Sequence, residues 1–212
     1  MGSIWLRPLP LIAILRGVEV EEAVTVGSEL VDAGFHILEV PLNSPRSFES
    51  IRRLADAFGG QCMVGAGTVL RVEDVEAVAN SGGRLIVMPH TDVTIIDSAK
   101  RLGLSCVPGA ATPSEAIAAL RAGADAIKVF PAEQITARIL RAWRAVLPHD
   151  IDILPVGGIT PDRMEEFVRA GATGFGIGSA LYAPGRTTAA IAESARRFVS
   201  AWQAISTHEL NS

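Results

Sequence analysis

One phrase recurs along this chain: a helical pattern ends in glycine, and a short apolar run begins within a few residues. Ala33-Gly34 precedes a run over 36–40, Ser81-Gly82-Gly83 one over 85–88, and Leu102-Gly103 one over 104–107. Ala122-Gly123 leads into 125–129, and Ala170-Gly171 into 173–177. Glycine just past a helix end supplies the left-handed residue that turns the chain back. A phrase that repeats predicts an architecture that repeats.

Filling the gaps gives eight expected strands, at 11–15, 36–40, 62–66, 85–88, 104–107, 125–129, 151–155 and 173–177. Helical patterns run between them, at 20–33, 45–58, 72–80, 92–101, 113–121, 135–147, 161–170 and 187–203. Several open on a cap followed by proline, as in Ser44-Pro45, Thr112-Pro113 and Thr160-Pro161, where proline loses no helical hydrogen bond. Eight alternating units in this length predict an α/β fold, a small (β/α)8 TIM barrel. A flavodoxin-like open sheet is the alternative, but no strand carries the charge of an exposed edge. The expectation is a single domain over residues 1–212, with a short polar tail that frays from about 207.

Composition narrows the class of function. A net charge of −4, with no basic run, argues against a nucleic-acid surface. Cys62 and Cys106 both fall in apolar runs and read as buried thiols. The apolar stretch over 11–15 is too short for a membrane span and lacks the form of a signal peptide. A soluble cytoplasmic protein with no membrane partner is expected.

Lys128 stands out within this frame. It is one of only two lysines beside 17 arginines, and it lies in the apolar run Asp125-Ala126-Ile127-Lys128-Val129-Phe130-Pro131. An unpaired buried ammonium costs several kcal/mol or more, so such a lysine tends toward the neutral, nucleophilic amine. A lysine held by a carboxylate purely for packing is the competing reading. In a βα barrel the active site lies at the C-terminal strand ends. Alternation puts Ile12, Ile14 and Arg16 on one face, Ile37 with Glu39 on another, and Ala126 with Lys128 and Phe130 on a third. If each faces inward, Arg16, Glu39 and Lys128 converge at the mouth. That trio suits aldol chemistry: an amine to form an iminium, a carboxyl to shuttle protons, and a guanidinium to grip a carboxylate. A merely rigidifying ion network is the alternative.

Gly157-Gly158 and Gly178-Ser179 follow the last two expected strands, where barrels commonly bind phosphate on backbone N–H groups. Tight turns and nothing more would look the same. His36, His90, His149 and His208 are scattered and show no metal-ligand spacing, so no metal is expected. His90 follows a strand end and is a candidate substrate contact. Trp5, Trp143 and Trp202 read as packing. Asn43-Ser44-Pro45 reads first as a helix N-cap and second as a ligand contact.

Five ordered motifs carry a resemblance. They are 10–17 (PLIAILRG), 39–45 (EVPLNSP), 65–69 (GAGTV), 127–131 (IKVFP) and 156–159 (VGGI). Together they resemble the class I aldolases that act on 2-keto-3-deoxy-6-phosphogluconate, its galactonate epimer and 4-hydroxy-2-oxoglutarate. The resemblance implies a metal-independent, cofactor-free barrel, usually a homotrimer, that cleaves a phosphorylated keto-deoxy sugar acid into pyruvate and glyceraldehyde 3-phosphate. It implies Lys128 as the Schiff-base lysine and Glu39 as the general acid/base. Arg16 and Thr68 would hold the pyruvate carboxylate, with Phe130 against the pyruvyl carbons. Gly158, Gly178 and Ser179 would bind the phosphate. Leu42-Asn43-Ser44-Pro45 and Val156 resemble the 6-phosphogalactonate branch, and Val156 is expected near C4 of the substrate. An epimerase on the same scaffold would not be inactivated by borohydride with pyruvate, and a non-catalytic sugar-phosphate binder would release no pyruvate.

Overall fold

A computed structural model describes residues 4–209 of the chain. In chain order the strands are β1 (Leu11–Ile14), β2 (Ile37–Pro41), β3 (Met63–Gly67), β4 (Leu85–Val87) and β5 (Ser105–Val107), then β6 (Gly109–Ala110), β7 (Ala126–Val129), β8 (Asp152–Pro155) and β9 (Phe175–Ile177). The helices between and after them are α1 (Val20–Asp32), α2 (Ser47–Phe58), α3 (Val72–Asn80) and α4 (Val93–Arg101), then α5 (Pro113–Arg121), α6 (Ala137–Arg144), α7 (Met164–Val168) and α8 (Thr188–Glu209). Among the described residues, no helix is long and apolar enough to cross a membrane. The glycines of the recurring phrase take positive φ, from 71° at Gly103 to 106° at Gly34 and Gly171. Each helix-to-strand return is therefore built as the sequence predicts.

The α/β class and its parallel strands follow the expectation. A six-stranded sheet in the order β5-β4-β3-β2-β1-β9 forms a half-barrel, and β6-β7-β8 form a second sheet. The expected fifth strand ends before Pro108, which has no N–H to give to a ladder, and a two-residue strand outside the expected set, β6, follows it. The Pro108 carbonyl still accepts from Lys128 N–H at 2.9 Å, and Cys106 O accepts from Asp125 N–H at 3.0 Å. At the other seam Thr173 N–H donates to Ile153 O at 3.0 Å, and Val156 forms a parallel bridge with Gly176.

Strand alternation sorts the apolar residues into two clusters. Ile12, Ile14, Ile37, Leu85, Val107, Ala126 and Leu154 share one interior cluster, fed by strands of both sheets. Leu11, Ala13, Leu38, Val64, Ile86, Ile127 and Ile153 point the other way and pack against the helices. Leu6, from the 3-10 turn Ile4–Leu6, joins the interior cluster at 2% exposure, and Trp5 packs beside it. Burying each large aliphatic side chain contributes about 1.5–3 kcal/mol, and this interior leaves Lys128 and Glu39 as its charged groups.

Some local expectations change. Helix α5 has its predicted cap, with Thr112 and Glu115 in a reciprocal capping box and Pro113 in the first turn. Helix α2 starts at Ser47, not Pro45, with Arg46 at its N-cap in a left-handed conformation. Thr160-Pro161 opens a 3-10 turn, Pro161–Arg163, ahead of a short α7. Helix α8 continues to Glu209, past the expected end at 203, and residues 210–212 of the expected tail lie outside the described residues.

Candidate active site

Strand β7 carries Lys128 inward at 5% exposure, and β2 carries Glu39 inward at 1%. Burial pushes the Lys128 ammonium below its ordinary range; Glu39 opposes that shift, and the Arg16 guanidinium adds to it. Burial likewise pushes Glu39 up to about 7, against the pull of Lys128 and Arg16. The Glu39 Oε2 atom is buried with no hydrogen-bond partner, an open valence that a bound reactant or water can meet. Phe130 covers the amine, its ring centroid 4.7 Å from Lys128 Nζ. An amine inclined to lose its proton beside a carboxyl inclined to keep one is a matched nucleophile and proton carrier.

Gly67 makes room for that carboxyl. A Cβ at Gly67 would sit on the Glu39 carboxylate, and one at Gly65 would strike the Leu85 main chain. Gly67→Ala is therefore expected to destabilise the fold by about 1–3 kcal/mol, the usual cost of overpacking. Urea unfolding checks this, and wild-type stability would mean that the carboxylate has room to spare.

Arg16 lies just past β1 and is exposed toward the mouth. Its Nη1 donates to Asn43 Oδ1 at 2.8 Å, and its Nη2 lies 3.4 Å from Thr68 Oγ1. Thr68 has φ of 54°, which costs a β-branched residue on the order of 1 kcal/mol or more and aims its hydroxyl at Arg16. Ser44 Oγ accepts from Gly17 N–H at 2.9 Å. The Asn43-Ser44 pair thus fastens the end of β1 instead of capping α2.

A cavity of about 340 Å³ opens over these strand ends, lined by Arg16, Lys128, Phe130, Val156, Gly158, Gly178 and Ser179, together with Ile14, Glu133 and Gly157. Glu39 and Thr68 are not in its wall; they reach the site through Lys128 and Arg16. The two glycine turns take φ of 109° at Gly157 and 60° at Gly158. Among the described residues no main-chain acceptor takes the N–H groups of Gly158, Ser179 or Ala180, the arrangement an anion cradle requires. Val156 is 8% exposed, and its side chain fills the space a Cβ on Gly176 would need, beside Ile14.

His90 is exposed and lies outside the cavity wall. His36 sits at the opposite end of the strands, where its Nε2 lies 3.3 Å from Trp5 O; the side chain of His208 is outside the described residues. No group of three or more His, Cys, Asp or Glu side chains able to hold a metal ion occurs among the described residues. A second cavity of about 370 Å³ adjoins Leu6, Pro10, Asp152 and Trp202, at the strands' N-terminal ends. It is slightly larger, yet none of the candidate residues lines it. Sequence reasoning passed over Glu133 and Gly67. Glu133 lies in the turn after β7, five residues beyond Lys128, and its place over the glycines, like the role of Gly67, exists only across neighbouring strands.

Comparison with known proteins gives the family. The curated 2-dehydro-3-deoxy-6-phosphogalactonate aldolase of Escherichia coli (strain K12) is 43% identical over 199 residues, covering 94% of this chain and 97% of the relative. A solved structure described as native KDPGal superposes with a TM-score of 0.95 at 42% identity, covering 98% of this chain and 100% of that one. A chain from a cube-shaped, highly porous protein cage, designed by fusing symmetric oligomeric domains, matches with a TM-score of 0.93 at 41% identity, covering 95% of this chain and 74% of that one. The family model for KDPG and KHG aldolase matches residues 3–191, and the chain belongs to that family.

Proposed function

We propose that this chain is a class I aldolase that cleaves 2-dehydro-3-deoxy-6-phosphogalactonate to pyruvate and D-glyceraldehyde 3-phosphate. The observation that carries the reading is the buried pair: Lys128, its ammonium disfavoured, in the wall of an open cavity, and Glu39, raised to about 7, buried behind it. Neutral Lys128 attacks the C2 ketone, and loss of water gives a protonated imine. Glu39, or a water it holds, takes the proton from the C4 hydroxyl. The C3–C4 bond then breaks, its electron pair moving into the iminium to leave an enamine and release the aldehyde. Protonation at C3 and addition of water return pyruvate and free Lys128. Arg16, steadied by Asn43 and Thr68, grips the carboxylate bidentately, and Phe130 covers the pyruvyl carbons. The N–H groups at Gly158 and Ser179, beyond the glycines, hold the phosphate, with Gly178 keeping the approach open.

The scaffold reading goes with it. The seam hydrogen bonds and the interior cluster drawn from both sheets support one closed eight-unit barrel, (β/α)8, and one domain over residues 1–212. The buried free thiols of Cys62 and Cys106 suit a reducing cytoplasm. A homotrimer is supported by the family resemblance and by the symmetric oligomeric domains named for the designed cage.

Pyruvate release, coupled to lactate dehydrogenase, tests the reaction with both C4 epimers as substrate. No pyruvate from either would end the aldolase reading. The inward side chain of Val156 offers shape without a hydroxyl, so it cannot select an epimer by hydrogen bonding at C4. Val156→Thr is expected to shift the ratio of kcat/KM values toward the gluconate epimer by about threefold to tenfold, the worth of one hydrogen bond. A wild type that cleaves the gluconate epimer alone would refute the branch and leave the aldolase standing.

A further inference from the structure

The turn after β7 puts an acid where the proposed reaction needs an anion site. Ala132 N–H donates to Val156 O at 2.9 Å, and the N–H groups of Gln134 and Ile135 both donate to Pro131 O. The main chain around Glu133 is thereby pinned to the end of β8, which leaves its side chain as the movable part. That side chain is exposed and lines the cavity. It lies over the Gly157-Gly158 turn: a Cβ at Gly157 would run into Oε2, and a Cβ at Gly158 would come 2.9 Å from Cγ. Among the described residues no hydrogen bond or ion pair holds the Glu133 carboxylate. The neighbouring Arg163 is engaged elsewhere, donating to Gly158 O at 2.8 Å and pairing with Glu166.

We infer that Glu133 is a specificity-determining residue whose carboxylate lies over the Gly157-Gly158 turn and competes there with the anionic tail of the substrate. The inference rests on the aldolase reading above. Two anions cannot share one small cradle, so a phosphate that enters drives the carboxylate out toward solvent. An exposed glutamate moves between staggered rotamers at small cost, so the displacement is reversible. The competition falls unequally on different ligands. Free inorganic phosphate must displace the carboxylate from solution. The tail of a substrate already joined to Lys128 acts at the much higher effective concentration of a tethered group and prevails. When the phosphorylated aldehyde leaves, the carboxylate returns. Glu133 thus keeps small free anions off the glycine turns while admitting the same chemical group on the substrate.

Glu133→Gln keeps the side chain's shape and removes its charge. Steady-state kinetics on the phosphorylated substrate, with inorganic phosphate as a competing inhibitor, gives KM and the phosphate inhibition constant for wild type and variant. Borohydride trapping of pyruvate at Lys128 reports that the variant is folded. Wild-type cleavage of the phosphorylated substrate is a separate readout, which tests the aldolase reading alone. Removing a unit charge beside a bound anion near the surface is expected to lower the phosphate inhibition constant about fivefold and KM in the same direction. An inhibition constant that stays the same or rises in Glu133→Gln overturns the inference.

Discussion

Lys128→Met abolishes the borohydride-dependent pyruvyl adduct and lowers turnover by on the order of 10⁴-fold or more, because covalent catalysis is lost and only binding and electrostatic help remain. Methionine approximates the lysine stem in apolar surroundings, and Glu39, raised to about 7, can stay neutral beside it, so the fold is retained below that pH and the loss reads as chemistry. In the wild type, mass spectrometry after reduction in pyruvate places the added mass on the peptide that holds Lys128. Lys100 is the internal control. Its Nζ is paired with Asp125 Oδ2 at 2.6 Å and donates to Leu104 O on the helix side of the sheet, away from the residues that line the cavity. An adduct on Lys100, or one that survives in Lys128→Met, would overturn the assignment.

Glu39→Gln comes second in size. It leaves the amine able to form the imine slowly but removes the proton carrier, for an expected loss of at least ~100-fold in turnover. The same substitution changes stability in a pH window of its own. Glu39 titrates at about 7 when folded, against an ordinary value of 4.5. Between those values the unfolded chain holds fewer protons than the folded one, so this group's contribution to stability falls as pH rises from 4.5 to about 7. Glutamine escapes that fall. Glu39→Gln is therefore expected to be more stable than wild type at pH 8 by on the order of 3 kcal/mol, and to lose that advantage near pH 4.5. Urea unfolding at the two pH values measures it. Equal stability at both, or unchanged turnover, would return Glu39 to a purely structural role.

Much of this site was legible in the chain because the relevant rules are local. Glycine at helix ends marks where strands begin, and alternation groups Arg16, Glu39 and Lys128 each with apolar partners on one strand face, so that they converge if those faces point inward. What escaped depends on groups far apart in sequence. Ser44-Pro45 carries the form of a cap, but Gly17 N–H lies within reach of Ser44 and Arg16 within reach of Asn43, so those side chains serve β1 and the helix starts later. The two-residue strand beyond Pro108 is too short to show a pattern of its own. Gly67 reads as one more glycine until β2 and β3 are laid in register. Glu133 draws no notice in the sequence until the fold brings the loop after β8 beneath it.

The cavity has a floor. Beneath Lys128 the space is filled by Ile12, Ile37, Ala126 and Leu154, with Leu6 below them at the base, while the glycine turns stand at the rim. In the proposed reaction the keto acid half is therefore the inner passenger, and the phosphorylated aldehyde the outer one. The aldehyde half must depart before water can reach the enamine's carbon, and the three-carbon acid leaves last by the same opening. Departure is thus sequential by geometry. An enzyme built this way runs backward in the mirrored order, loading the acid first and waiting, already charged with an enamine, for an aldehyde to arrive.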